Sequence, residues 1–108
     1  MTAERLGAFE ELVLMAVTSL KGDGYGVTIQ EELESGTGDA VSVGAVYATL
    51  DRLERKGLVA SRVGGATRER GGRRKRFFRV TAAGLRALTA MRRVRSRIWT
   101  VADAPEPA

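Results

Sequence analysis

The sequence offers few side chains for catalysis. It contains no histidine and no cysteine, so the residues that most often act as general bases, thiol nucleophiles and metal ligands are absent. Its carboxylates stand singly or as outward pairs such as Glu31 and Glu32, an arrangement that does not suit acid–base catalysis. We therefore expect a protein that is not an enzyme, with no catalytic residue, no metal site and no cofactor.

Basic side chains are instead concentrated in one short segment. Its arginines and lysine are Arg68, Arg70, Arg73, Arg74, Lys75 and Arg76. Neighbouring glycines make such a segment pliable, so that it can follow DNA phosphates or enter a minor groove. The alternative is that these charges only keep the edge of a hairpin soluble.

Charge is divided unevenly along the chain. Residues 1–51 carry two basic and nine acidic side chains (net −7), and residues 52–108 carry sixteen basic and four acidic ones (net +12). The total of +5 therefore conceals one strongly positive region, which suits a polyanionic partner. An ordinary solvated basic face is the alternative.

Three predicted helices precede the basic segment. Apolar side chains recur every three or four residues from Phe9 to Leu20, which is the helical period. After a glycine-rich turn, Asp23 can cap a short second helix. Ser42 is placed to cap a third helix, which ends before Gly57.

A hairpin and a fourth helix follow. Residues that favour strands at 58–63 and 77–80 predict an antiparallel hairpin with the basic segment at its tip. Thr81 can cap a final helix with coiled-coil spacing of its apolar residues. Because this seam is too long for a small core, we expect it to form a dimer interface. The predicted interface residues are Leu14 of the first helix and, in or just after the last helix, Leu88, Met91, Val94, Ile98 and Trp99.

Two details of this interface remain open in the sequence. Trp99 is either a dimer anchor or an exposed residue at a fraying helix end. The arginines of the last helix are expected to meet acidic residues of a partner's first helix, namely Glu4, Glu10 or Glu11.

The order of elements predicts a mostly α fold with a small β-hairpin. It is a winged helix-turn-helix, with a three-helix core and a two-stranded wing, plus a C-terminal dimerisation helix. We expect residues 1–81 to form the DNA-binding domain, 82–102 the dimerisation helix and 103–108 a disordered tail. No segment suits a membrane span or an export signal, so we expect a cytoplasmic protein.

The third helix is predicted to read DNA, because an α-helix fits the major groove and residues at its amino end reach base edges. Ser42 is equally explained as a plain helix cap, Tyr47 and Tyr25 as core aromatics, and Arg52 as a surface arginine. The predicted DNA-binding residues are Tyr25, Ser42, Gly44, Ala45, Tyr47, Arg52, Arg73, Arg74, Lys75 and Arg76.

Four stretches of the sequence resemble the PadR-like family of winged-helix regulators. They are Leu12–Leu14 with Gly24–Val27, Ser42–Leu50, Leu53–Val59 and Arg73–Gly84. The chain departs from many relatives in having Val43 where they have proline and Phe77 or Phe78 where they often have tyrosine. Longer relatives also carry a larger C-terminal helical region, whereas this chain ends soon after Trp99.

The resemblance implies a regulator that binds specific duplex DNA as a homodimer, acting as a repressor on a roughly palindromic operator. It leaves a small-molecule effector open but without support from the residues. A protein-interaction or dimerisation module without specific DNA binding is the alternative function. An RNA-binding protein is a weaker alternative, because the chain has only six aromatic residues to stack on bases.

Overall fold

The computed structural model describes residues 6–66, 74–100 and 105–107. Within these ranges it has four helices and one two-stranded antiparallel sheet, in the predicted order. The elements are α1 (Ala8–Ser19), α2 (Gly26–Thr37), α3 (Val43–Arg55), β1 (Val59–Ala66), β2 (Arg74–Val80) and α4 (Ala82–Ile98).

The first three helices pack against one another around a shared apolar core. Burial of these side chains away from water is the main stabilising contribution to a domain of this size. Its largest fully buried apolar side chains are Val13, Leu14 and Val17 of α1, Ile29 of α2, Val46, Leu50 and Leu53 of α3, and Phe78 of β2.

The position of Leu14 corrects the predicted dimer interface. Its side chain has no exposed surface and lies in the core, so it is not available to a second subunit. The neighbouring Met15 is exposed. The apolar arc of α1 is wider than one stripe, and the sequence alone assigned the wrong member of this pair to the outer surface.

The starts of α3 and α4 and the end of α3 lie where the sequence predicts them. The Ser42 Oγ atom accepts a hydrogen bond from the Ala45 N–H (3.2 Å), and the Thr81 Oγ1 atom accepts one from the Gly84 N–H (3.1 Å). Gly57 follows α3 with a left-handed φ of 76°, a conformation that glycine adopts without steric cost.

The start of α2 differs from the prediction. The helix begins at Gly26, so Asp23 does not cap it. Tyr25 is the N-cap residue, and its N–H donates a hydrogen bond to the Oγ1 atom of Thr28, the third residue of the helix (3.0 Å). The preceding residue, Gly24, forms a bridge to β2, and its carbonyl accepts a hydrogen bond from the Phe78 N–H (2.9 Å).

The hairpin strands are longer than predicted and pair with Val59 opposite Val80 and Val63 opposite Arg76. The register shifts between Val63 and Ala66. Residues 67–73, which contain most of the predicted wing tip and Arg73, lie outside the described residues.

The first half of α4 packs on the domain and the second half extends beyond it. Ala87 is buried, and Leu88 and Met91 pack partly against the core. Ile98 and Trp99 are 80% and 61% exposed. The described helix ends at Ile98, short of the predicted residue 102, and of the predicted tail only residues 105–107 are described.

Glu10 connects the start of α1 to the end of α3. Its carboxylate accepts hydrogen bonds from the Gly7 N–H (2.9 Å) and from the Lys56 ammonium (3.0 Å), and Arg52 lies 3.7 Å away. These contacts, the Gly7 bond foremost, hold the pKa of Glu10 below its ordinary value although partial burial opposes them.

The same substitution in two helical glycines is expected to have opposite effects on the free energy of unfolding. In Gly84→Ala the new methyl would overlap the Leu58 carbonyl oxygen and the Val80 side chain, so we expect a loss of about 1–3 kcal/mol. In Gly36→Ala the methyl meets nothing within 4 Å, so we expect a gain of about 0.4–1 kcal/mol. Urea denaturation measures both, and a stabilised Gly84→Ala protein would contradict the packing of α4 on Leu58 and β2.

Glu10→Gln is expected to weaken the pH dependence of stability. A lowered pKa in the folded state means that the charged carboxylate stabilises the protein above about pH 4.5, the ordinary value, and that this contribution is lost as the pH falls through the lowered pKa. The free energy of unfolding should therefore fall less between pH 7 and pH 3 in Glu10→Gln than in the parent. Glu31→Gln, at an exposed position on α2, is the matched control and should retain the parental pH dependence. If the free energy of unfolding varies with pH equally in both variants, this role of Glu10 is excluded.

Candidate nucleic-acid interface

The amino-terminal half of α3 presents a continuous exposed surface. Val46, Leu50 and Leu53 face the core, and helical geometry turns the intervening residues outward. Most of these outward side chains are small, so another molecule can approach the helix backbone closely. They are Ser42, Val43, Gly44, Ala45, Tyr47 and Ala48.

Tyr47 lies across the start of α2. Its side chain is partly exposed, at 43%, and its ring occupies the space where a side chain at Gly26 would stand. A Cβ atom at Gly26 would overlap the phenol ring. The absence of a side chain at Gly26 therefore allows Tyr47 to pack there while keeping part of its surface outward.

Tyr25 connects this region to the wing. Its ring meets Phe77 edge to face, with ring centroids 5.7 Å apart. The Lys75 ammonium lies 4.3 Å from the centroid of the Tyr25 ring and donates a hydrogen bond to the Tyr25 hydroxyl (3.2 Å). The Arg62 guanidinium covers Phe77 at 4.7 Å. Cations above aromatic faces are attracted by the ring quadrupole, so these contacts orient the base of the hairpin.

The basic residues of β2 have different surroundings. Arg74 is exposed at the strand end, near the undescribed tip. Arg76 instead pairs with Glu54 and with Asp51 (3.6 Å) of α3. The sequence grouped these two arginines together, and only their positions in the fold distinguish them.

Arg52 is held on the side of α3 that faces the start of α1. Its guanidinium donates a hydrogen bond to the Thr49 Oγ1 atom (3.0 Å) and lies 3.7 Å from the Glu10 carboxylate. These partners compete with a phosphate for the same side chain. The predicted DNA contact of Arg52 is therefore not favoured by its position.

The structure brings together the start of α3, the start of α2 and the base of the wing. Tyr47 packs at Gly26, and the adjacent Tyr25 contacts Lys75. The resulting surface offers hydroxyl groups, an ammonium group and exposed small residues of a helix amino end, which together can bind phosphate and approach base edges. We call this surface the α3–wing surface.

Sequence reasoning missed two exposed members of the α3–wing surface, Val43 and Ala48. Helical spacing from Val46 and Leu50 could have identified Ala48 as outward. Within residues 6–66, 74–100 and 105–107, no group of acidic side chains could hold a metal ion, and no helix is long and apolar enough to cross a membrane.

A second surface is the groove between α1 and the second half of α4, with a volume of about 1180 Å³. We call it the α1–α4 groove. Its apolar lining includes Leu12, Met15, Leu88, Met91, Val94, Ile98 and Trp99.

One predicted contact across this groove is made within the chain instead. Arg95 pairs with Glu11 of its own α1 at 2.6 Å, and Glu10 pairs with Lys56 and Arg52 of the same chain. The expectation that the arginines of α4 meet Glu10 or Glu11 of a partner is therefore not supported, and Glu4 lies outside the described residues.

Several solved structures share the overall fold of this chain. RosR of H. salinarum is 29% identical, with a TM-score of 0.71, over 95% of this chain and 84% of that chain. A PadR family transcription regulator from hypervirulent Clostridium difficile is 22% identical, with a TM-score of 0.68, over 85% of this chain and 91% of that chain. A PadR-like transcriptional regulator from Bacillus cereus is 20% identical, with a TM-score of 0.69, over 85% of this chain and 84% of that chain. These similarities confirm the predicted winged-helix fold.

The sequence comparisons identify the family. No curated protein matches the sequence significantly. The sequence does match the transcriptional regulator PadR-like family over residues 13–90, from α1 into α4. Because this match spans most of the chain, the protein belongs to the PadR-like family, whose members are transcriptional regulators and not enzymes.

Proposed function

We propose that this regulator binds duplex DNA as a homodimer and represses transcription from a roughly palindromic operator. Each α3 would enter a major groove, with the wing against the flanking phosphates and the two half-sites about one helical turn apart. A protein bound there would hinder polymerase access. We include a cytoplasmic location in this proposal, since the regulator must reach its DNA.

The α3–wing surface is the observation that carries the DNA-binding part of the proposal. Exposed small residues at the amino end of α3 allow close approach to base edges. Lys75 and Arg74 lie on the adjoining strand, where they can neutralise phosphates on either side of the groove. The contacts of Tyr25 and Tyr47 support a fixed relation between helix and strand.

Within this proposal the predicted DNA-binding residues have distinct roles. Ser42, Gly44, Ala45 and Tyr47 belong to the reading helix, and Ser42 also caps it. Tyr25 acts through Lys75, which it orients. Phosphate contacts come from Arg74, Lys75 and the undescribed Arg73.

The α1–α4 groove supports the homodimer. Large apolar side chains on the second half of α4 face solvent in a single subunit, which is costly unless another surface covers them. A second copy carries the same groove and the same protruding helix, so the two can complement each other around a twofold axis. In this arrangement Met15 replaces the buried Leu14 at the interface, alongside Leu88, Met91, Val94, Ile98 and Trp99.

Ala45→Glu is expected to reduce DNA binding without destabilising the fold. A glutamate at the third helical position, after the Ser42 cap, favours the helix end, but it would place a negative charge against DNA. We expect at least a tenfold loss of affinity, or about 1.4 kcal/mol, in fluorescence anisotropy with a duplex from the upstream region of the gene.

Ala82→Glu is the matched control, because it puts the same charge at the exposed first position of α4, and its affinity should stay near that of the parent. An unrelated duplex and a single-stranded RNA complete the comparison. Parental affinity should fall steeply with salt, since each neutralised phosphate contributes a slope of about −0.9 in log K against log salt. A flat profile, or equal affinity for all three nucleic acids, would contradict specific DNA binding.

Ile98→Glu is expected to produce monomers. Ile98 is mostly exposed in the single subunit, so the change should leave the fold intact while placing a charge in the proposed interface. Light scattering coupled to gel filtration measures the mass. Leu85→Glu is the control, because Leu85 is also exposed (47%) on α4 but does not line the groove. A dimeric Ile98→Glu protein would place the interface elsewhere.

A further inference from the structure

Arg76 is bound on several sides by its own chain. Its guanidinium pairs with Glu54 through Nη2 and approaches Asp51 through Nη1 at 3.6 Å. Its Nε atom donates a hydrogen bond to the Ser61 hydroxyl (3.0 Å). The same group lies over the ring of the buried Phe78, 5.1 Å from the centroid.

These partners come from three elements. Asp51 and Glu54 are three residues apart and therefore share one side of α3. Ser61 belongs to β1, and its hydroxyl also donates to the Glu54 carboxylate (2.6 Å). Arg76 itself is in β2, opposite Val63. The side chain thus joins the helix expected to read bases to both strands of the wing.

The local charge argues against a phosphate contact by this arginine. Two carboxylates face one guanidinium, so the cluster carries an excess of negative charge, which repels a phosphate. All three guanidinium nitrogens have partners within the chain, and a phosphate would have to replace at least one of them. Arginine suits this cluster because its planar guanidinium presents five donors in a fixed fork, whereas the lysine ammonium is a compact point charge.

We propose that Arg76 is a positioning residue that fixes the wing to α3, and that it is not a ligand of the DNA backbone. It sets the distance and angle between the reading helix and the strand that carries Arg74 and Lys75. This proposal rests on the DNA-binding function proposed above and assigns to Arg76 a role different from that of its neighbours.

Arg76→Gln and Glu54→Gln distinguish positioning from phosphate binding. If Arg76 positions the wing, each change should weaken binding to the upstream duplex by about three- to tenfold, and the double variant should be no weaker than the weaker single one, because both remove the same interaction. The dependence of affinity on salt should keep its parental slope. The result for Glu54→Gln is the most informative, since removal of an acidic residue beside a polyanion would by itself strengthen binding.

Arg74→Gln is the matched control, because Arg74 is an exposed arginine on the same strand two residues away. As a phosphate ligand it should lower the steepness of the salt dependence by about 0.9. The same reduction in Arg76→Gln, or tighter binding by Glu54→Gln, would overturn the positioning role.

Amide hydrogen exchange in the DNA-free protein separates this proposal from DNA binding itself. Arg76→Gln and Glu54→Gln should accelerate exchange in β1 and β2, whereas Arg74→Gln should leave it unchanged. If the parent protein binds no duplex, the proposed function fails but the exchange experiment still tests the connection. Parental exchange rates in both cluster variants would exclude it.

Discussion

The attachment of β2 to the three-helix core is the constraint on which the functional surface depends. Phe78 places its side chain in that core and its N–H on the Gly24 carbonyl, so one residue fixes the strand in two directions. The strand carries Lys75 and Arg76 a few residues further toward the tip. Gly24 in turn precedes Tyr25 and the start of α2. The wing, α2 and α3 therefore share one junction.

The acidic first part and the basic second part of the chain form ion pairs with each other. Among the described ion pairs, every one except Arg76 with Glu54 joins an acidic residue before position 52 to a basic residue after position 51. Surface ion pairs contribute little to stability individually, so their effect here is to orient elements. Arginines that the sequence does not distinguish are thereby separated into those that hold the fold and those, such as Arg74, that remain outward.

Local signals predicted much of this structure, and pairing between distant residues accounts for what they missed. The caps at Ser42 and Thr81 and the apolar face of α3 depend on neighbours in sequence, and their predictions were confirmed. The start of α2 was misplaced because Gly24 pairs with a strand more than fifty residues later. No spacing rule reveals that Arg76 meets Glu54.

The position of Leu14 illustrates a different limit of prediction from the sequence. Leu14 and Met15 are both apolar, and only the direction from which α2, α3 and α4 pack decides which one is buried. The sequence predicted the DNA-binding residues as one set. Their different roles follow from the partners that each side chain contacts in the fold.

Helix α1 connects the two surfaces of the molecule. Glu10 faces α3 and pairs with Lys56 and Arg52, while the next residue, Glu11, faces α4 and pairs with Arg95. Residues of the same helix line the α1–α4 groove. In the proposed dimer, the separation of the two reading helices is therefore set by how α1 and α4 pack, because a helix of twelve residues transmits position as a rigid unit. A change of angle in the groove would alter the half-site spacing that the dimer accepts.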